Sequence, residues 1–271
     1  MRLTKSLKQY CKRVLPPGFQ RIVYRYIWNP FRNVYWKLLD LECELRSGLR
    51  VQVHNRPDWE IYNEVLVNGE YDVPIRHVLD RFEHGRPFVV IDLGGNVGYF
   101  ALRCANECIL REIGEKLSLV VVEGAPLMFR ELERRVRTQP LLDDKVRLLN
   151  GLAGRKDGDA YITGSHLHYS NVATAESRPG SSRSTFINLD KELAGFATID
   201  LIKCDIEGSE FDFIDNYEDL LRKTRAAVFE LHRFGRSLED ARNKLTQYGF
   251  NRRLVLRDTE FYSVEFYTRE P

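Results

Sequence analysis

No run of this sequence approaches the ~20 apolar residues that a membrane-spanning helix needs, and the basic opening MRLTKSLKQYCKRVL has no apolar stretch of the secretory kind. A cytoplasmic protein is the expectation. Cysteine is scarce and unpatterned. The five residues Cys11, Cys43, Cys104, Cys108 and Cys204 form an odd set with no CxxC pair, which excludes a disulfide framework and a thiolate zinc site. Net charge is nearly absent as well. At a formal +2 over 271 residues the composition lacks the concentrated cationic surface that phosphate backbones require, so no nucleic acid is expected as a partner.

One absence is local. No acidic residue precedes Asp40, while Arg2, Lys5, Lys8, Lys12, Arg13, Arg21, Arg25, Arg32 and Lys37 are threaded with Tyr10, Phe19, Tyr24, Tyr26, Trp28, Phe31, Tyr35 and Trp36. Cations beside amphipathic rings suit peripheral contact of residues 1–40 with an anionic membrane or an acidic partner. The plainer alternative is a helical extension whose aromatics pack on the domain behind it. Residues 1–57 are assigned to this basic, aromatic-rich helical extension and residues 58–271 to a catalytic domain.

From about residue 87 onward, apolar runs of strand length alternate with helical segments. Strands are expected at PFVVIDLG, LSLVVVEG, VRLLNGLA, IDLIKCDIEG and AAVFELHR, and a helix at RELERRVRTQ. A helix at SLEDARNKLTQYG, opened by a serine cap, precedes two β-rich segments, RRLVLRD and FYSVEFYTR, spaced for an antiparallel pair. The fold class is therefore α/β, a mostly parallel central sheet with helices on both faces and a C-terminal antiparallel hairpin. The Gly-, Pro- and Ser-rich ESRPGSSRS marks a mobile loop insertion at about 160–186, placed to fold over a site.

The stretch VVIDLGGNVGYF runs from a buried strand through a glycine turn into a helix, an arrangement that lets a backbone pass close to a ligand. It cannot supply the glycines of a dinucleotide fingerprint: the third position is Asn96 counted from Gly94 and Val97 counted from Gly95. A dehydrogenase is disfavoured on that ground. The next strand ends in VVVEG, setting Glu123 and Gly124 at its carboxyl end, where open α/β sheets bind ligands and where a carboxylate can accept both hydroxyls of a ribose.

Asp92, Gly94, Asn96 and Gly98 in D-x-G-x-N-x-G resemble the first motif of S-adenosylmethionine-dependent methyltransferases. IDLIKCDIEGSEF, residues 199–211, resembles the signature of the FkbM family of methyltransferases; DWEIYNEVLVNGEYD, INLDKEL and FELH are similar to further segments of that family. The likeness runs from about residue 58 to 233. Cys204 and Ser209 depart mildly from the signature, and Leu152 stands where the family tends to have alanine, which bears on how adenine would pack. The resemblance implies a Rossmann-like class I methyltransferase. Its cofactor would be S-adenosyl-L-methionine, held by Asp92, Gly94, Gly95, Asn96, Gly98, Glu123, Gly124 and Asp205. Its reaction would be O-methylation of a small-molecule or glycan acceptor: a sugar, a glycolipid or polysaccharide, or another natural product. The alternative from another class is a catalytically silent module that keeps the nucleotide fold and tethers a complex to membrane or polymer.

Methyl transfer to a hydroxyl needs the acceptor oxygen held close and its proton taken. The candidates stand at the carboxyl ends of the fourth and fifth strands: Asp205 and Glu207 from CDIEG, Glu230 and His232 from FELH. Asp205 and Glu207 share a face if the strand continues through both, and their like charges would then raise at least one pKa. His232 or Asp205 is assigned as the base and Glu207 as the residue orienting the acceptor, with Glu230 beside it. Asp205 is equally suited to the methionyl amine, and His232 to a satisfied position beneath the pocket. Asp205, Glu207 and His232 also form a set able to hold a divalent metal, kept as an alternative to the metal-free reading. His166 and His168 in GSHLHYS are candidate acceptor contacts from the loop, or simply solvated.

Overall fold

The structure, a computed structural model, describes residues 40–163, 172–174, 176–177, 179–233 and 236–269. The basic aromatic segment before residue 40 and the histidines His166 and His168 lie outside the described residues. Where description begins, a hairpin of β1 (Leu41–Glu44) and β2 (Arg50–Val53) replaces the helix expected through residue 57. Its sequence explains the difference: Leu49, Val51 and Val53 are buried with a period of two, so one strand face is apolar and the other polar. Helix α1 (Arg56–Tyr62) follows, with the Asn55 side chain capping Asp58 N–H, and runs into a π-helical turn, Asn63–Val67, and then α2 (Asp72–Asp80).

The alternating region then unfolds as expected: β3 (Phe88–Leu93), α3 (Tyr99–Leu110), β4 (Leu117–Glu123), α4 (Pro126–Arg137) and β5 (Val146–Asn150). The expected mobile insertion is instead built in its described parts as a three-stranded antiparallel sheet, β6 (Asp159–Thr163), β7 (Val172–Thr174) and β8 (Ser182–Thr185), in the order β7-β6-β8. The short α5 (Leu189–Glu192) leads to β9 (Ile199–Cys204), the paired helices α6 (Glu210–Asn216) and α7 (Glu218–Arg222), and β10 (Thr224–His232). Helix α8 (Leu238–Gln247), capped by Ser237, precedes the hairpin β11 (Arg252–Asp258) and β12 (Tyr262–Thr268).

Seven strands form one sheet in the order β11-β12-β10-β9-β3-β4-β5. The pairs β3/β4, β4/β5, β3/β9 and β9/β10 are parallel, and the C-terminal hairpin adds its two strands antiparallel to β10. Strand residues alternate between two cores. Val90, Val121, Leu201 and Val228 pack with Ile75, Leu102 and Leu132, while Ile91, Val122, Ile202 and Phe229 pack with Phe213, Leu220 and Leu245. The chain lays β4 and β5 on one side of β3 and β9 on the other, so the sheet reverses winding at β3/β9, where open α/β sheets leave a crevice for ligands.

The N-terminal hairpin is fastened to this sheet through α4. Arg135 and Asp58 are both buried and paired at 2.8 Å; Arg135 also donates to Glu131 and the Gln52 carbonyl, and Asp58 accepts from His54 N–H. Removing one partner of such a pair strands the other charge in a low-dielectric site. Asp58→Ala is expected to cost about 3 kcal/mol, read as a lower midpoint in urea denaturation. An unchanged midpoint would mean that Glu131 alone satisfies Arg135.

Candidate active site

Strand β3 delivers Asp92 and Leu93 to the crevice, and parallel pairing sets Asp92 beside Lys203 of β9. Both are buried, with Lys203 Nζ 3.3 Å from Asp92 Oδ1 and 3.6 Å from Asp205 Oδ2. Lys203 Nζ also donates to the Gly94 carbonyl at 2.7 Å. Burial alone would lower the lysine pKa, but the two carboxylates outweigh it and hold the ammonium charged. The turn that follows requires its glycines. Gly94 has φ +79, and a Cβ there would stand 1.7 Å from the Asp205 carbonyl; a Cβ on Gly95 would meet Val121 at 2.1 Å.

Glu123 ends β4 almost fully buried. Its Oε2 accepts Asn96 N–H at 2.8 Å and its Oε1 accepts Ala125 N–H at 2.7 Å. Burial pushes its pKa up to about 7 against those two amides. Asn96 adopts a left-handed backbone, φ 49, and its buried Oδ1 has no hydrogen-bond partner among the described residues. A cleft of about 590 Å³, open to solvent, runs past Gly94, Asn96, Glu123, Gly124, Leu152, Ile162, Asp205 and Glu207. Its floor joins the three-stranded insertion: Ser184 Oγ donates to the Gly124 carbonyl, and Leu152 bridges Phe186. A carboxylate at a strand end, an unsatisfied amide oxygen and a turn open to close approach fit an adenosyl ligand with a ribose diol.

Past Cys204 the expected strand does not continue. Asp205 N–H still bonds the Leu93 carbonyl, but Glu207 (φ 53) and Gly208 (φ 99) turn left-handed, so Asp205 and Glu207 do not share a strand face. They meet at the cleft by the turn instead. Strand β10 runs three residues beyond its pairing with β9, held there by β12, and so projects Glu230 and His232 alongside that turn on one face.

His232 is buried. Its Nδ1 lies 3.1 Å from Glu210 Oε1, and its Nε2 lies 3.5 Å from Glu207 Oε2 and 3.6 Å from Glu230 Oε1. Burial disfavours its charged form, yet the Glu210 hydrogen bond and the surrounding carboxylates prevail and raise its pKa to about 9. Glu230 is pushed up to about 9 and Glu207 to about 7, in both cases by burial first and by Asp205 next. These groups share protons. The imidazolium is sustained by Glu210, which leaves Glu230 as the carboxyl that burial and Asp205 keep protonated. Arg257, just past a bulge in β11, closes the far wall: it pairs with Glu64 at 2.7 Å and Glu70 at 3.0 Å, reaches Glu230 at 3.9 Å and lies over the Tyr262 ring.

Of the expected site residues, Gly94, Asn96, Glu123, Gly124, Asp205 and Glu207 line one cleft; His232 and Glu230 adjoin it beside Glu207, and Asp92 lies buried behind it on Lys203. Gly95 and Gly98 shape the turn by packing against Val121 and Leu132. Ligand atoms of Asp205, Glu230 and His232 lie within 4.8 Å of one another, so the trio that could hold a metal includes Glu230 where Glu207 was expected. Lys203, Glu210 and Arg257 were not foreseen. A lysine interrupting the apolar run IDLIKC was the available signal for Lys203, since a lysine inside a buried strand is seldom found unpaired.

These shifts fix a pH dependence of stability. An acid raised on folding binds more protons when folded, so Glu230 and Glu207 weaken folding as pH climbs from the ordinary carboxylate range through about 9 and about 7. His232, raised to about 9, favours folding below its ordinary range and loses that contribution as pH rises through about 9. The thermal midpoint is expected to fall between pH 6 and pH 9. Glu230→Gln, which mimics the neutral carboxyl, should flatten that fall and raise Tm at pH 8 by about 3 °C, as followed by circular dichroism.

Residues 93–252 match the family model described as the methyltransferase FkbM domain. Among solved structures, the methyltransferase FkbM from Methylobacillus flagellatus KT superposes with TM-score 0.48 at 14% identity, covering 67% of this chain and 43% of that one. Magnesium protoporphyrin IX methyltransferase from Synechocystis PCC 6803, with bound SAM, gives 0.46 at 10% identity over 93% of this chain and 96% of that one. Fibrillarin from Aeropyrum pernix, with natively bound S-adenosyl-L-methionine, gives 0.47 at 11% identity, with coverages of 86% and 84%. No curated protein matches the chain. No helix among the described residues is long and apolar enough to cross a membrane. With more than half of its length matched by the family model, and with the sheet order and crevice described above, the chain belongs to the FkbM methyltransferase family.

Proposed function

We propose that this protein is an S-adenosylmethionine-dependent O-methyltransferase acting on a hydroxyl of a sugar, a glycolipid or polysaccharide, or another natural product. The observation that carries this reading is the placement of a titratable cluster, Glu207, Glu230 and His232, beside the cleft that Glu123 and Asn96 line. Asp205 and Glu207 line the crevice beside Asn96 and Glu123.

When bound, S-adenosylmethionine supplies an electrophilic methyl group whose departure leaves a neutral thioether. Glu123 accepts the ribose hydroxyls, its two amide contacts fixing the carboxylate plane beforehand. Gly94 and Gly95 let the backbone approach, and Asp205 at the mouth of β9 offers an acceptor for a methionyl ammonium. Glu207 orients the acceptor hydroxyl, and His232 takes its proton as the new oxygen–carbon bond forms. Raised pKa values suit that task, because a base that holds its proton well draws it more strongly from a poorly acidic alcohol. A positively charged ligand beside the cluster would lower the His232 pKa and free the ring to accept.

Calorimetric titration with S-adenosylhomocysteine, beside NADH, tests the cofactor assignment. Micromolar binding is expected, weakened at least about tenfold in Glu123→Ala as the paired ribose hydrogen bonds are lost. No binding would return the silent-module reading to first place.

With an acceptor in hand, His232→Gln is expected to lower turnover about 100-fold while cofactor affinity holds, whereas Asp205→Asn, which takes the charge from the methionyl ammonium contact, is expected to lower turnover and cofactor affinity together. Unaltered turnover in both variants would remove the base assignment. The Asp205, Glu230 and His232 grouping favours a second reading as metal ligands. Loss of turnover in chelator, restored by magnesium, would select it.

A further inference from the structure

Glu210 is fully buried at the start of α6 and belongs to the wall behind the crevice. Its Oε1 accepts Ile206 N–H at 3.1 Å and Gly208 N–H at 3.0 Å, and its Oε2 accepts Gly208 N–H at 3.1 Å. The same Oε1 faces His232 Nδ1 at 3.1 Å. Because a carboxylate can only accept, the ring nitrogen turned toward it carries a proton. In the neutral ring the lone pair then sits on Nε2, the nitrogen that faces Glu207 and Glu230.

One side chain therefore ties two segments that come from different strands. The turn through Glu207 and Gly208 leaves β9 in a left-handed conformation, uncommon for a glutamate, and its amide hydrogens converge on Glu210. His232 arrives from the end of β10 and is held by the same oxygen. We propose that Glu210 is the positioning residue of this site, fixing the tautomer of His232 so that Nε2 faces the acceptor hydroxyl, and anchoring the turn that carries Asp205 and Glu207. The role rests on the reading of His232 as the base, but the geometry at His232 can be tested without any acceptor.

The groups that face His232 set what a change at Glu210 does. Glu230 shares its strand; Glu207 and Asp205 approach from the turn; the Tyr262 ring of β12 lies 5.8 Å away between centroids. Arg257 of β11 reaches Glu230, and Lys203 of β9 holds Asp205. With Glu210 neutralised, three carboxyl groups still surround the ring, so it continues to titrate, at a lower pH. The turn, by contrast, needs an acceptor rather than a charge, and the amide oxygen of Gln can serve Ile206 and Gly208.

The test is long-range proton–nitrogen NMR on the full chain with labelled histidine, the His232 signals being identified by their loss in His232→Gln. In the wild-type protein, above the titration midpoint, the neutral ring is expected to carry its proton on Nδ1. In Glu210→Gln the midpoint should fall by about one pH unit or more, with S-adenosylhomocysteine affinity kept within about threefold. A neutral ring protonated on Nε2 in the wild type overturns the proposal, and this holds even if Glu210→Gln fails to fold. An unchanged midpoint in Glu210→Gln, with or without loss of cofactor affinity, also overturns it by making Glu210 a structural residue only. Turnover surviving in His232→Gln would instead remove the base reading and leave the tautomer result standing.

Discussion

The pairing of Lys203 with Asp92 is the contact on which the rest of the crevice depends. Two adjacent parallel strands each place an ionisable side chain on the same face at the same level, beyond a row of Val90, Val121, Leu201 and Val228. Neither charge could be buried alone. Together, with the Gly94 carbonyl and Asp205 completing the ammonium's contacts, they lock the ends of β3 and β9 at the level where the sheet reverses its winding. The glycine turn and the acidic turn both hang from that lock: Gly94 through its carbonyl, Asp205 through its carboxylate and through its amide on Leu93.

Beyond the lock, the site holds more carboxyl groups than its cations can neutralise. Asp205, Glu207 and Glu230 crowd around His232, and Glu64 and Glu70 stand behind them on Arg257. Such a cluster is not arranged for stability, since burial drives several of its members to hold protons they would release in water. Strained or frustrated electrostatics of this kind collect where chemistry is done. Glu210, fully buried beside them, is supplied with amide hydrogens from a turn only two to four residues before it.

Much of this was legible in the sequence, because the signals were local and periodic. The five parallel strands, the closing hairpin and the Glu123 position follow from apolar runs with turn residues at their ends. What escaped depends on long-range contact. Leu49, Val51 and Val53 alternate, but the basic aromatic segment before them carried the helical expectation too far; only docking on α3 and α4, through Tyr99 and Arg135, makes a hairpin worth forming there. The insertion near residue 180 reads as a loop because serine and glycine abound, yet β8 pairs along Asp159–Ile162 and is tied to the cleft by Ser184.

The acidic turn shows most directly why motif and geometry differ. As letters, CDIEGSE suggests a strand carrying two carboxylates on one face. As a structure, the strand ends at Cys204, and the left-handed backbone at Glu207 and Gly208 sends Asp205 and Glu207 to the cleft by a different route. The residue that makes this possible, Glu210, lies within the same motif but faces inward, and its partner His232 is 22 residues further along the chain. Spacing along the chain could assign Asp205, Glu207 and His232 to one site. The side chain that joins them became visible only when β9 and β10 were laid side by side, because its role consists of contacts to both.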